Sequence, residues 1–392
     1  MSCLEKLVIK GCSNLQNLSS SIGNLSNLKD LDLTECSSLV ELPSSIGNLH
    51  NLKNLDLTKG SSLLELPSSI GNLHNLKVLG LRGCSKLMAL PVNINMKSLD
   101  DVDLTECSLL KSFPEISTNI LVLKINGTAI EEIPQSVGSW SRLERLRMSY
   151  SENLGKSKHA FDLITDLHLT DKLIQEIAPW VKDMSRLRKL IMKGCTKLVS
   201  LPQLPDSLEI IDAENCESLE RLDCSFNKTK FTDLSFVNCF KLNQEAIDIL
   251  LNTSTKGWAV FPGEKVPTYF SYRATGRSVS MKLNGLDTCF PTSLRFKACI
   301  LLVTKPSDVE PNAWSRSFIS YYIKEKLSGV EVNSGRQYLW ENLSPRSEHL
   351  VVIEFEGTVN SPELVFEFGF DNKDWEIKEC GLLPLESLAR SC

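Results

Sequence analysis

Residues 28–51 and 52–75 are near copies of each other, LKDLDLTECSSLVELPSSIGNLHN followed at once by LKNLDLTKGSSLLELPSSIGNLHN. The period is therefore 24 residues, and each copy opens with L-x-x-L-x-L. Alternation along so short a strand sends Leu31 and Leu33 to one side and Asp30, Asp32 and Thr34 to the other. One such strand cannot bury its leucines alone. Stacking copies into a parallel sheet builds a leucine column, in which each buried side chain contributes roughly 1.5–3 kcal/mol.

A period of this size with this leucine spacing predicts a leucine-rich-repeat solenoid, parallel β with short helical turns. Units start at Leu4, Leu28, Leu52, Leu76, Leu99, Ile120, Leu143, Ile164, Leu187, Leu208 and Phe231, about 11 repeats spaced 21 to 24 residues apart. A second apolar pair often ends in proline (Leu42-Pro43, Leu66-Pro67, Leu90-Pro91), which removes a donor and stops the strand. The polar stretch that follows, such as 44–48, carries one apolar anchor (Ile46, Ile70, Ile94) and predicts a short helical turn on the convex side. Between Leu143 and Met184 the Leu-Pro element is lost, and Trp140 and Trp180, near the ends of irregular units, read first as fillers of core volume.

Outward strand positions line the concave face that such scaffolds use for binding. Early units place Asp30, Asp32, Asp56, Asp101 and Asp103 there; later ones place Lys124, Arg145, Arg147, Lys189 and Lys193, with Asp166 and His168 between them. Two readings stand, a solvated surface of mixed charge and a graded docking face for a protein partner.

Seven cysteines (Cys12, Cys36, Cys84, Cys107, Cys195, Cys216, Cys239) fall eight residues after the start of their units. They form a register rather than pairs, and Gly60, Thr128, Ser151 and Lys172 share the slot, so reduced, buried thiols are expected. The N-terminal MSCLEKLVIKGCSNL is charged where a signal peptide needs an apolar stretch, and no apolar run of 18 residues occurs, so a cytoplasmic or nuclear protein with no membrane span is expected. The six N-x-[ST] sequons then read as accidents of a Ser- and Asn-rich repeat. A net charge of -5 with 23% charged residues argues against a nucleic-acid binder.

After Asn243 the repeat stops, giving expected domains 1–243 and 244–392. Residues 244–251 predict a helix with Ala246, Ile247, Leu250 and Leu251 on one side. Apolar runs at 258–261, 266–272, 278–283, 294–303, 318–323, 349–355, 364–370 and 375–380, parted by turn formers such as Pro262-Gly263 and Gly357, predict an antiparallel β-sandwich. Catalytic patterns fail on inspection. Gly155-Lys156-Ser157 lacks the earlier glycine of a phosphate loop, the five histidines are scattered, and no zinc spacing occurs. The LPQLPDSL run at 201–208 is similar to repeats of bacterial ubiquitin ligases, but those carry a helical catalytic domain and this C-terminal region is β-rich. No enzyme, cofactor or metal site is expected.

The repeat pattern, followed by Asn238-Cys239-Phe240, Leu242-Asn243, Pro262-Gly263, Val266-Pro267, Phe270, Phe296-Lys297-Ala298-Cys299, His349-Leu350 and the run 377–381 (IKECG), resembles the C-terminal part of plant TIR-NB-LRR disease-resistance proteins. The resemblance implies repeats followed by a post-repeat jelly-roll/Ig-like domain, together binding a pathogen effector protein. It implies as partners an NB-ARC domain in cis or a receptor in trans, oligomers only as part of a full receptor, and NAD cleavage confined to a TIR domain. No TIR or P-loop sequence occurs here, so recognition without nucleotide switching is the expectation; a fragment, a truncated product and a free-standing adaptor or autoinhibitory regulator all stay open. The expected contact residues are those of the later strand face, from Lys124 to Lys193, and sandwich loops around Trp314 and at Arg336 to Trp340, although both tryptophans also suit a core.

Overall fold

The computed structural model describes residues 4–92, 94–223, 231–283, 292–305, 316–341, 346–359, 361–372 and 375–385. The chain forms two compact units, Met1–Thr170 with Trp180–Ile191, and Asp171–Pro179 with Met192–Cys392.

In the first unit nine short strands, Lys6–Val8, Asp30–Asp32, Asn54–Asp56, Val78–Gly80, Asp101–Asp103, Val122–Ile125, Arg145–Ser149, Ile164–His168 and Lys189–Ile191, each pair in parallel with the next. Each begins on the expected unit start or two residues after it. Leu7, Leu31, Leu55, Leu79, Val102, Leu123 and Leu146 occupy one register row, and Leu31 and Leu33 are both buried. Residues Ser44–Asn48 and Ser68–Asn72 form the expected helical turns, 3-10 in type, with Ile46 and Ile70 buried. Their glycines allow close stacking: a Cβ on Gly47 would lie 2.5 Å from the Ser69 carbonyl oxygen. The third anchor differs. Ile94 lies in no turn and is only half-buried, because its shorter unit buries Met96 instead. Trp140, just before the irregular stretch, is buried edge-on to Phe113 (5.8 Å), and Trp180 within it stacks on Tyr150 (5.6 Å) and Phe161 (5.4 Å).

Backbone bonding explains the cysteine register. In nine of the eleven units the residue before the slot takes a left-handed conformation: Gly11, Glu35, Lys59, Gly83, Glu106, Gly127, Gly194, Asn215 and Asn238 all have φ between 60 and 77°. This turns its N–H toward the following unit, as in Glu35 to the Thr58 carbonyl (2.8 Å) and Lys59 to the Arg82 carbonyl (2.6 Å). The thiol after it donates the opposite way, Cys36 to the Ile9 carbonyl (3.1 Å), Cys84 to Leu57 (3.3 Å) and Cys107 to Leu81 (3.2 Å). All nine described cysteines are free thiols, and burial pushes Cys84 and Cys107 up to about 12, so they stay protonated.

The second unit joins the last repeats to the sandwich through one sheet. Strand Phe231–Ser235 pairs in parallel with Ile210–Asp212 on one side and with Thr255–Pro262 on the other. The helix Gln244–Asn252 makes the crossover, and the Asn243 side chain caps it by accepting from the Ala246 N–H (2.8 Å). From Thr255–Pro262 the pairing turns antiparallel, through His349–Val359, Thr292–Thr304, Trp375–Leu385 and Tyr272–Thr275. A second antiparallel sheet runs Ser278–Lys282, Glu363–Phe370, Arg316–Glu325, Glu331–Glu341. Phe296, Ile300, Val351 and Ile353 of one sheet pack on Ile319, Ile323, Phe366 and Phe368 of the other.

Three sandwich expectations change. The run 266–272 is a turn-containing loop up to Ser271: Pro267 has no N–H, and the Val266 N–H donates to the Glu379 carboxylate (2.9 Å) while Val266 and Phe270 close on Gly381. Gly357 is no turn but lies within His349–Val359, where a side chain would meet Ile323. Arg336 and Trp340 belong to strand Glu331–Glu341 rather than a loop.

Candidate functional site

Strand register sets the candidate surface of the first unit. Asp103, Lys124, Arg147, Asp166 and Lys189 occupy successive positions of one row, with His168 two residues beyond Asp166 on the same face. The early aspartates have local work: Asp32, Asp56 and Asp103 accept the backbone N–H of Thr34, Thr58 and Thr105 (2.9, 2.9 and 3.0 Å), closing the turn after each strand. Lys124 is then neutralised in place, 3.2 Å from Asp103 and 3.5 Å from Asp101.

Arg147 faces Asp166, a nearly fully buried carboxylate, at 3.6 Å, and the Thr165 hydroxyl donates to the same carboxylate at 2.7 Å. The Arg147 Nε is buried without a hydrogen-bond partner. His168 is half-buried, and burial lowers it to about 4 against the pull of Asp166, so it is neutral at pH 7. Arg145 is exposed and Lys189 half-buried, and neither has a carboxylate partner among the described residues. Lys193 lies in the second unit, paired at 2.5 Å with the buried Glu214. The first unit thus gathers six of the seven expected strand-face residues.

In the sandwich, Arg336 stands 3.9 Å over the Phe318 ring and pairs with Asp371 at 2.5 Å, while Phe318 packs on Tyr338 at 5.2 Å. Sequence reasoning missed Phe318, Tyr322 and Tyr338, although strict alternation in the strand Arg316–Glu325 puts Phe318 and Tyr322 on the face opposite the core residues Ile319 and Ile323. Trp314 lies outside the described residues, as does the side chain of Trp340. Among the described residues no group of three His, Cys, Asp or Glu could hold a metal ion, and no helix is long and apolar enough to cross a membrane.

Residues 2–242 match the leucine-rich repeat region family. The chain belongs to that family. Residues 261–386 match the C-JID domain, which the sandwich embodies. The chain is 50% identical over 305 residues to the probable disease resistance protein RPP1 of Arabidopsis thaliana, covering 76% of this chain and 25% of the relative. It is 32% identical to the disease resistance-like protein DSC2 (74% of this chain, 35% of the relative) and 43% identical to the disease resistance protein TAO1 (50% and 16%), both also from Arabidopsis thaliana. The chain therefore spans 16–35% of the length of these relatives. A Listeria monocytogenes internalin (InlF) structure is 19% identical over 64% of this chain and 79% of its own, with a TM-score of 0.35.

Proposed function

We propose that this chain is the recognition module of a plant immune receptor acting inside the cell. It binds a pathogen effector protein rather than catalysing a reaction, through the strand face around Arg145 and Lys189, with the sandwich surface at Arg336 as a second contact. The carrying observation is the pairing of charges on that face. Lys124 and Arg147 are held by Asp101, Asp103 and Asp166, whereas Arg145 and Lys189 have no such partner among the described residues. An unpaired cation on a rigid strand is free to meet a carboxylate of an incoming protein, and it steers encounter as well as register. The disease-resistance names of the relatives support the same reading.

The test is co-immunoprecipitation of the chain against a panel of effector proteins, repeated with Arg145→Glu/Lys189→Glu. Recovery of an effector that the double variant releases, with Kd raised at least tenfold, is the expected outcome. Undiminished capture by the double variant would remove the strand face from the proposal.

A further inference from the structure

Several residues that carried the family resemblance meet in the second unit at one groove of about 800 Å3: Phe240 and Leu242 before the helix, Pro262, Gly263 and Pro267 after it, and Leu350. The helix Gln244–Asn252 lends it Gln244, Ile247, Asp248 and Leu251, spaced along one face, while Ala246 and Leu250 pack inward. That volume is ordinary for a ligand cleft. Two aromatic side chains that line it, Phe240 and Tyr269, remain 47% and 44% exposed.

The charges of the lining are unequal. Asp248, Glu264 and Glu348 stand against Lys265. Lys378 holds Glu348 at 2.6 Å and also feels the Glu264 carboxylate from farther off, but among the described residues Asp248 receives only the Gln244 amide (2.8 Å) and Glu264 has no ion pair. Burial pushes the Tyr269 phenol up to about 12, so it is neutral at pH 7. Aliphatic floor, exposed aromatic faces and under-neutralised carboxylates together suit a ligand with an apolar group beside a cation. An acidic segment would set carboxylate against carboxylate, and a neutral one would leave Asp248 without a cation and Glu264 without an ion pair.

We propose that this groove is a docking site for a polypeptide segment that presents an aliphatic side chain next to an arginine or lysine. The aliphatic group packs on Leu242, Ile247, Leu251 and Leu350; the cation meets Asp248, Glu264 and the Tyr269 ring. None of these residues belongs to the effector-binding surface proposed above, so either reading can fail alone.

The test uses the full chain and three fluorescein-labelled decapeptides of alternating Leu-Arg, Leu-Ser and Leu-Glu, with binding read by fluorescence anisotropy. The Leu-Arg peptide is expected to bind at least tenfold tighter than Leu-Ser, with Leu-Glu weakest. Asp248→Lys/Glu264→Lys should invert that order, and Tyr269→Ala should weaken Leu-Arg binding severalfold. These side chains are exposed, and an unchanged unfolding midpoint shows that the variants fold. Glu35→Lys/Glu106→Lys, which makes the same charge change in the first unit, should leave the Leu-Arg affinity unaltered. Equal binding of all three peptides, no binding of any, or equal loss in the control variant would each overturn the proposal.

Discussion

The middle of the repeat stack and the junction with the sandwich face one problem and solve it differently. Each left-handed residue before a cysteine slot directs its N–H away from its own unit. In the stack the next unit answers with a backbone carbonyl, as Thr58 does for Glu35 and Arg82 for Lys59. A side chain answers where the next unit departs from pattern. The Ser149 hydroxyl takes the Gly127 N–H at 2.8 Å, and at the junction the buried His349 Nε2 takes the Asn238 N–H at 3.0 Å. The junction adds Asn238 Oδ1, which accepts from the Arg346 N–H (2.8 Å), and Arg346, which pairs with Glu217. Repetition spreads the task over identical neighbours, whereas the junction gives it to side chains that occur once.

The largest expected effect lies on the unrepeated side. Lys297 is almost fully buried, donating to the Thr253 carbonyl at the helix end (2.8 Å) and pairing with the equally buried Glu354 (3.3 Å). Lys297→Ala leaves that carboxylate with only the half-exposed Arg295 and the Ser254 hydroxyl and should destabilise the second unit by about 3–5 kcal/mol, read by urea denaturation. Loss of under 1 kcal/mol would show that Arg295 and Ser254, which also bond Glu354, carry the cluster and that the junction is as distributed as the stack.

The next effect depends on pH. His349 donates from Nδ1 to the Ser347 carbonyl (2.8 Å) and accepts at Nε2, so only the neutral ring fits, and burial lowers it from 6.5 to about 4. The unfolded chain takes up a proton below pH 6.5 that the folded chain refuses until about pH 4. Stability therefore falls as pH drops through that window. Between pH 7 and 5 the loss from this ring is about 2 kcal/mol, and His349→Gln should remove it while leaving the like contribution of His168 in the first unit. The same slope in wild type and variant would detach His349 from the junction's stability.

The smallest effect has the opposite sign. Lys59 holds φ at 61° without being glycine. Lys59→Gly relieves a strain of about 1–2 kcal/mol at the expense of greater unfolded-state freedom, leaving a gain of up to about 1 kcal/mol in thermal or urea unfolding. Gly83→Ala, in the same slot with φ at 74°, should lose a similar amount. If both changes were neutral, the slot would not be strained and the comparison would rest on hydrogen bonding alone.

These positions also show what the sequence could reveal. The strands were legible because the leucine period repeats eleven times, and the slot before each cysteine was half legible, since glycine or asparagine at 11, 83, 127, 194, 215 and 238 marks positive φ while Glu35, Lys59 and Glu106 conceal it. The D-x-T triplets of the early strands could have been read as side-chain turns, which would have separated structural aspartates from available ones. The sandwich was less open to reading, because its pairs are long-range and each occurs once. Val266 and Phe270 look like a strand by composition, yet what fixes them is the approach of Gly381, over 100 residues away. The groove was invisible for the same reason: Phe240, Asp248, Tyr269 and Leu350 share it only after the helix crosses over and the sheet pairs.

Reciprocity within the stack has a genetic consequence. A regular middle unit gives an N–H forward and a thiol or small side chain backward, and it receives the same from its neighbours. Residues 28–51 or 52–75 could be deleted, or copied once more, by unequal exchange between the two near-identical segments, and every surviving neighbour would find the partner it had lost. Such an exchange would change the length of the strand face by one row in a single generation. The unit that contains Asn238 has no such freedom, since a copy inserted after it would meet a carbonyl where His349 must stand. Length can therefore change within residues 28–75 without orphaning a backbone group, whereas the repeat that contains Asn238 cannot be copied in place.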